Sequence, residues 1–402
     1  MKKIGMGLIG PGFIAPHHID AVRRLGYVDV IAIAGSNSTA AEKKASLFNV
    51  KRSYGDYRDL IADPEISVIH NTTPSYLHFP VCMAVIEAGK HIISDKPLAI
   101  TAVEGARLRD AAAAAGVVNA VTFNYRGNPL VQQARLMVQR NDIGNVFFVH
   151  GVYLQDWLAD ANVYSWRLDP KKGGPSSALS DIGSHWCDLA EHISGTRIVS
   201  VLADLTTVVK TRYSTAGSTE AFSKDRSGDR IPVEVAGEDL ASVLVRFDNG
   251  AKGCLTVGQV LAGHKNGLKI EVNGRSASLA WSQEQQNELW IGRHDQPNSV
   301  MDKDPNLMLA GAVRYAHLPG GHQEGWADAF RNVIADCYEW VRSGTKSDLV
   351  CTFADAHRLC CVIEAMLRSA DAGGVWQDVD FGNAQNEAFA PITSRLEAEV
   401  QR

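Results

Sequence analysis

Short apolar runs alternate with stretches of helical periodicity over the first 124 residues. The first apolar run covers residues 4–9, and after a turn Ile19, Val22 and Leu25 recur at helical spacing. Strand-like runs follow at 28–34, 66–70, 91–94 and 117–123, and helix-like stretches at 40–47, 76–88 and 101–115. This alternation predicts an α/β domain over residues 1–124 with a doubly wound parallel sheet of the Rossmann type.

The pattern changes beyond residue 125. One helix is predicted at 129–140, and strand-like runs then dominate, at 146–154, 198–209, 240–248, 251–261, 268–272 and 276–281. Helical stretches appear at 180–193, 325–342 and 352–370. Grouped strands with few helices between them predict an α+β domain over 125–370 with a mostly antiparallel sheet, followed by a tail at 371–402. Residues 212–231, rich in Ser, Gly and charge, are expected to form an extended surface loop.

The turn at residues 10–15 joins the first predicted strand to the first predicted helix. Its pattern is G-x-G-x-x-A, in which Gly10 permits a tight turn and Gly12 lets a pyrophosphate approach the backbone. Ala15 allows the helix to pack closely on the strand, and the helix N-terminus offers free N–H groups to phosphates. We therefore expect a dinucleotide site whose contacts include Gly10, Gly12, Phe13 and Ile14.

The end of the second predicted strand bears on cofactor choice. NAD-binding chains usually place an acidic residue there, but this chain has Gly35, with Ser36 and Asn37 after it. These side chains can donate hydrogen bonds to a 2′-phosphate, which favours NADP over NAD. No arginine follows the strand, and Lys43 and Lys44 fit a solvated helix face equally well. The cofactor prediction is therefore NAD(P), with a slight preference for NADP.

The other loops of this domain fall at the same edge of the predicted sheet. Thr73, Lys96 and Asn124 each follow a predicted strand, as does the turn at Gly10. Ligands of doubly wound sheets bind at the carboxyl ends of the strands, so these loops are expected to converge on one ligand.

Lys96 is the first candidate for chemistry. A lysine beside a nicotinamide can hydrogen-bond a substrate hydroxyl and stabilise the alkoxide character that develops as hydride leaves. Pro97 restricts the backbone of Lys96, which therefore is held in place. The alternative is an ordinary exposed turn lysine.

Asp181 and His185 are the second candidate. They are four residues apart and so share one face of a predicted helix. A histidine can take the proton of an alcohol, and a carboxylate on the same face can orient it. The same spacing also fits a metal pair or a surface ion pair.

Further substrate candidates are polar or aromatic side chains that follow strand ends or lie in loops: Tyr125, Arg126, Asp156, Trp157, Trp166, Arg167 and His322. An aromatic ring and a forked donor suit a sugar ring. The first two residues equally fit a domain-linker anchor, and the tryptophans equally fit a buried core.

Composition narrows the class of protein. A net charge of −5 and an isoelectric point near 6.2 argue against a nucleic-acid or anionic-membrane partner. No apolar run approaches the roughly 20 residues that cross a bilayer. The seven cysteines are irregularly spaced, which is typical of reduced thiols in a cytoplasmic protein. We expect no metal site.

Taken in order, these motifs resemble the Gfo/Idh/MocA oxidoreductases, a family that includes inositol dehydrogenase and glucose–fructose oxidoreductase. The matching residues are Gly10-x-Gly12-x-x-Ala15 with His18, Thr73-Pro74 with His78, Gly89-Lys90-His91 leading to Asp95-Lys96-Pro97, and Asp181-x-Gly183-x-His185. The resemblance extends over residues 1–370. The lysine motif of the family usually reads Glu-Lys-Pro, and Asp95 keeps the charge on a shorter side chain.

The resemblance implies a Rossmann domain joined to a domain with a large open sheet that often mediates homodimers or homotetramers. It implies catalytic roles for Lys96, Asp181 and His185, which would also contact the substrate. It implies cofactor contacts that include Pro74, His78, Asp95 and Lys96.

The expected activity is NAD(P)-dependent oxidation of a secondary hydroxyl of a sugar, sugar derivative or cyclitol, or the reverse reduction. Two alternatives stay open. One is glycoside cleavage through transient oxidation, and the other is a nucleotide-sensing protein without turnover.

Overall fold

The computed structural model describes residues 3–215 and 230–382. The first layer is a six-stranded sheet in which every pair is parallel and the order is β3-β2-β1-β4-β5-β6. This is the strand order of a Rossmann fold, and it confirms the doubly wound parallel sheet predicted from the sequence. Its strands are β1 (Ile4–Ile9), β2 (Val28–Ala34), β3 (Arg52–Tyr54), β4 (Val68–Asn71), β5 (His91–Ser94) and β6 (Asn119–Val121).

Five helices connect these strands. Their ends follow local chemistry: Thr101 caps the fifth helix by accepting from Glu104 N, and Gly116 ends it in a left-handed conformation at φ +63°. The helices are α1 (Ala15–Arg23), α2 (Ser38–Leu47), α3 (Tyr57–Ala62), α4 (His78–Glu87) and α5 (Ala102–Ala115).

The second layer is a nine-stranded sheet, ordered β16-β15-β14-β13-β7-β12-β11-β8-β17. Only β7 and β12 pair in parallel among its described strands, so the prediction of a mostly antiparallel sheet is confirmed. β9 and β10 pair with each other. The strands are β7 (Val146–Leu154), β8 (Ile198–Thr206), β9 (Thr211–Thr215), β10 (Arg230–Glu234), β11 (Leu240–Phe247), β12 (Lys252–Gly258), β13 (Gly267–Gly274), β14 (Ala277–Ser282), β15 (Glu288–Arg293), β16 (Ser299–Asp302) and β17 (Gln377–Asp378).

Helices of the second half pack on both sheets. The remaining helices are α6 (Pro129–Gln139), α7 (Pro170–Gly173), α8 (Ser184–Ser194), α9 (Ala310–Val313), α10 (Trp326–Ser343) and α11 (Phe353–Asp371). α8 lies on β7 and β13, whereas α10 packs on α1 and α11 packs on α5. A single antiparallel bridge joins Val121 to Cys351. These contacts tie the two halves of the chain together and mark no boundary between them. The domain boundary predicted at 124/125 and the tail predicted from residue 371 therefore stay predictions.

Several elements differ from their predicted form. The helix predicted at 180–193 begins with a π-helical turn, Leu179–Gly183, before α8. β15 and β16 were not predicted. β16 is largely exposed and carries no alternation of apolar and polar positions. β9 and β10 occupy the ends of the predicted loop at 212–231, and residues 216–229 and 383–402 lie outside the described part of the chain.

Candidate active site

The turn between β1 and α1 leaves room for a ligand at its backbone. Gly10 has φ +86°, and a Cβ there would lie 2.7 Å from Thr73 backbone atoms, so only glycine fits. A Cβ at Gly12 would meet no heavy atom within 4 Å. Ala15 is fully buried where α1 begins. A turn that is closed behind Gly10 and open in front of Gly12 fits the pyrophosphate of a dinucleotide.

A cleft of about 400 Å³ runs from this turn to the second domain. Its lining combines the predicted nucleotide turn, the strand-end loops and the loop that precedes α8. The cleft is lined by Gly10, Pro11, Gly12, Phe13, Ile14, Gly35, Ser36, Ala40, Lys44, Thr72, Thr73, Pro74, Ser75, Asp95, Lys96, Pro97, Trp166, Arg167, Gly173, Ser176, Ser177, Ser180 and Asp181. One cavity therefore connects the nucleotide turn to two of the three predicted catalytic residues.

The end of β2 borders the same cleft. Ser36 is exposed there, whereas Asn37 caps α2, since its Oδ1 accepts from Ala40 N at 2.9 Å. The Asn37 amide donates to Ser36 Oγ at 3.4 Å. The side chain of Asn37 is therefore engaged with the chain itself, and of the two predicted contacts only Ser36 is among the described residues that line the cleft.

Lys96 and Asp181 meet at the other end of the cleft. Lys96 Nζ donates to the backbone oxygen of Asp181 at 2.7 Å and to its Oδ1 at 2.8 Å. Gln259 Nε2 donates to Oδ2 at 2.7 Å, and Arg167 Nε lies 3.5 Å from Oδ1. The Asp181 carboxylate thus joins donors from the end of β5, the end of β12 and the loop after β7.

Asp95, next to Lys96, accepts from the Thr122 hydroxyl at 2.9 Å. Because Thr122 follows β6 and Asp95 follows β5, this bond ties two neighbouring strand ends together. It holds the backbone that carries Lys96.

The charges of this cluster set its protonation. Burial alone would raise the pKa of Asp181, but the positive charges of Lys96 and Arg167 hold that pKa well below its usual range. Burial, reinforced by the charge of Lys96, holds the pKa of His185 well below 6.5. At neutral pH the cluster therefore contains an ionised Asp181 and a neutral His185, which can accept a proton.

His185 lies in an aromatic enclosure formed by Phe123, Tyr125 and Tyr153, with ring centroids 5.4, 4.9 and 6.2 Å from its own. Its Nδ1 is buried and has no hydrogen-bond partner among the described residues. The imidazole is held by packing, and Asp181 acts on it through its charge, with no direct hydrogen bond between them in the described structure.

The hydroxyls of Tyr125 and Tyr153 belong to a closed hydrogen-bonded ring. Tyr125 donates to Tyr153 at 2.8 Å, Tyr153 donates to Asn266 Oδ1 at 2.6 Å, and Asn266 Nδ2 returns to the Tyr125 oxygen at 3.2 Å. Burial raises the pKa of Tyr125, so this ring stays protonated and neutral.

Arg126, predicted to contact the substrate, instead forms an ion pair inside the protein. Its guanidinium is buried, and its Nε and Nη2 donate to Asp188 at 2.6–3.0 Å. Asp188 lies three residues after His185 on α8. The pair therefore fixes α8 to the turn that carries Tyr125.

His78 is likewise engaged within the protein. Its Nδ1 lies 2.6 Å from the Pro97 carbonyl oxygen and its Nε2 lies 2.9 Å from that of Thr73. The ring is buried, so it joins two cleft loops from behind. This geometry argues against the cofactor contact predicted for His78.

The remaining predicted contacts are dispersed. Trp166 lines the cleft and stacks under the Arg167 guanidinium at 4.7 Å. Asp156 accepts from Lys265 Nζ at 2.5 Å, and Trp157 packs on a small cluster around Leu158.

Asn124 and His322 also lie off the cleft. Asn124 is buried and is not among the described residues that line it. His322 is exposed, and its Nδ1 donates within its own loop to the Gly320 oxygen at 3.3 Å.

Sequence reasoning missed Gln259, Tyr153 and Asn266. Gln259 is buried and continues the inward-facing alternation of β12, two residues after Val257. Tyr153 is buried four residues after the buried Val149 and so lies on the same face of β7. A polar residue that extends a buried alternation at a strand end was the available signal. Asn266 gave no such signal, since it precedes β13 in a turn.

The fold and the cleft define the class of protein, an oxidoreductase with a Rossmann domain that binds a nicotinamide dinucleotide. Residues 4–123 match the oxidoreductase family with an NAD-binding Rossmann fold, and residues 131–280 match the Gfo/Idh/MocA C-terminal domain. The chain belongs to the Gfo/Idh/MocA family, which confirms the resemblance noted from its motifs.

Named relatives agree with this assignment. Levoglucosan dehydrogenase of Pseudarthrobacter phenanthrenivorans is 34% identical over 302 residues, covering 72% of this chain and 76% of that protein. A solved levoglucosan dehydrogenase in complex with NADH and L-sorbose superposes with a TM-score of 0.85 at 29% identity, covering 94% of this chain and 100% of that one. An inositol dehydrogenase homolog with NAD⁺ from Azotobacter vinelandii gives 0.83 at 27% identity, covering 94% and 97%. Within residues 3–215 and 230–382, no helix is long and apolar enough to span a bilayer.

Proposed function

We propose that this protein is an NAD(P)-dependent dehydrogenase that oxidises a secondary hydroxyl of a sugar, sugar derivative or cyclitol, or catalyses the reverse reduction. The observation that carries the proposal is the cleft that joins Gly12 to the Lys96–Asp181 pair, with His185 beside it. The similarity to levoglucosan dehydrogenase and to an inositol dehydrogenase homolog supports the substrate class.

When bound, a nicotinamide accepts a hydride from the carbon that bears the hydroxyl. Lys96 hydrogen-bonds the substrate oxygen and stabilises the negative charge that develops on it. His185, neutral because of its burial, takes the hydroxyl proton. Asp181 orients Lys96 and offsets the positive charge that His185 acquires.

The other proposed contacts follow from the cleft lining. Gly10, Gly12, Phe13, Ile14, Thr73 and Pro74 serve the dinucleotide, and Trp166 and Arg167 border both cofactor and substrate. We retain Tyr125 beside His185 as a wall of the substrate site.

We also propose a homodimer or homotetramer assembled through the open face of the nine-stranded sheet. That face carries a depression of about 500 Å³ bordered by His150, Trp290 and the exposed Val300. The seven free cysteines fit a cytoplasmic location. Light scattering of the purified protein measures the assembly, and a monomer at micromolar concentration would contradict it.

The test of the activity is the near-ultraviolet absorbance of reduced nicotinamide, followed with inositols, aldoses, uronates, anhydrosugars and glycosides. Lys96→Met is the test variant, and Lys171→Met, an exposed lysine near the cleft, is the matched control. We expect reduction with one or more substrates, retained in the control and lost in Lys96→Met. A flat trace with aglycone release from a glycoside would favour transient oxidation instead.

A further inference from the structure

We propose that Lys44 binds the 2′-phosphate of NADP(H), so that this chain selects the phosphorylated cofactor. The inference rests on the nucleotide cleft of the proposed function, but not on which substrate is oxidised. In its cofactor this chain would differ from the solved levoglucosan dehydrogenase, whose structure contains NADH.

The end of β2 has no space for the acidic side chain that usually binds the ribose hydroxyls of NAD. A Cβ at Gly35 would lie 2.9 Å from Ala41 N and 3.1 Å from Ala41 Cα, which are backbone atoms of α2. Any carboxylate at position 35 would therefore force α2 away from the sheet. Gly35 thus removes a group that would repel a 2′-phosphate.

One face of α2 borders the cleft instead. Ala40 and Lys44 both line it, and residues four apart lie on the same side of a helix. Ala40 is small and leaves space beside Gly35 and Ser36. Lys44 is half-buried there, whereas Lys43 beside it is exposed and is not among the described lining residues.

Charge at the two ends of the cleft differs. The carboxylates among its described lining residues are Asp95 and Asp181, and both are engaged at the catalytic end with Thr122 and Lys96. At the β2 end, Lys44 is the charged residue of the described lining. A phosphate there meets the Lys44 ammonium and the Ser36 hydroxyl, since both side chains line this end of the cleft.

The experiment measures binding in the absence of substrate. NADPH and NADH are titrated separately into the full-length protein, and energy transfer from tryptophan to the reduced nicotinamide gives Kd. The variants are Lys44→Met, Lys44→Arg and the matched control Lys43→Met.

We expect NADPH to bind more tightly than NADH to the wild-type protein. Lys44→Met should weaken NADPH binding about ten- to hundredfold, as expected for one charge-assisted hydrogen bond, and change NADH binding by less than about twofold. Lys44→Arg should restore most of the NADPH affinity, because it keeps the charge. Lys43→Met should leave both affinities within about twofold of wild type.

Three results would overturn the assignment: NADH binding as tightly as NADPH, equal losses for both nucleotides in Lys44→Met, or an equal effect of Lys43→Met. Selective NADPH binding without turnover of any polyol would support the contact between Lys44 and the 2′-phosphate. It would contradict only the proposed dehydrogenase activity. Failure to bind either nucleotide would contradict both.

Discussion

Replacing Asp181 with asparagine removes the charge of this side chain and nearly keeps its shape. In the native site Oδ1 accepts from Lys96 Nζ at 2.8 Å and Oδ2 accepts from Gln259 Nε2 at 2.7 Å. An amide has one acceptor oxygen, so its NH₂ group must face one of these two donors. A lost hydrogen bond to a charged group costs about 1.5–3 kcal/mol, which corresponds to about 10- to 150-fold in kcat/KM.

The assay is steady-state kinetics at saturating cofactor, with Kd for the nucleotide and Tm measured alongside. The double variant Asp181→Asn/Gln259→Glu is the control. It restores a carboxylate–amide pair between positions 259 and 181, but the negative charge now lies at position 259, on the side away from Lys96. We expect the double variant to recover Tm and to stay impaired in kcat/KM. A single variant within about threefold of wild type would refute the role of the Asp181 charge, and so would a double variant that recovers full activity.

Three further perturbations follow from the structure. A Cβ at Gly12 meets no atom of the protein within 4 Å, so the side chain of Gly12→Val should leave Tm unchanged and fill the space of the pyrophosphate. Calorimetry should therefore show that nucleotide binding is lost; retained binding would contradict the location of the pyrophosphate. Arg126→Met leaves the buried Asp188 carboxylate unpaired, and urea unfolding should show a loss of about 3–5 kcal/mol; a loss below about 1 kcal/mol would contradict this. Burial lowers the pKa of His185 and lowers that of His70 from 6.5 to about 3, so the unfolded chain binds protons that the folded chain does not. Stability should therefore fall as pH drops below about 6.5, by up to about 1.4 kcal/mol per pH unit for each such histidine, and a Tm that is constant from about pH 7 to 5 would argue against it.

The Rossmann half was predictable because its signals are local. Strand and helix periods alternate within short windows, and β1, β2 and β5 have the predicted bounds. The turn at Gly10 was predictable for the same reason, since its conformation and its close approach to Thr73 both require glycine. The convergence of the loops at Gly10, Thr73 and Lys96 followed from the topology of parallel sheets.

Side-chain partners far apart in sequence were not predictable. Arg126 follows a strand end like Lys96, yet it pairs with Asp188, 62 residues away, whereas Lys96 faces the cleft. The different surroundings of Arg126 and Lys96 depend on how α8 packs on the second sheet. No short stretch of the sequence indicates that packing. Gln259 was missed for the same reason, because its target Asp181 lies 78 residues earlier.

In the proposed reaction, hydride passes from a substrate carbon to a nicotinamide held beside Lys96 and His185. This transfer is tested most directly by following deuterium from a substrate labelled at the reacting carbon, once the absorbance panel has identified one. We expect one deuterium at C4 of the reduced nicotinamide with the wild-type protein and none with Lys96→Met. Product that keeps the deuterium, with no labelled reduced cofactor, would contradict net dehydrogenation.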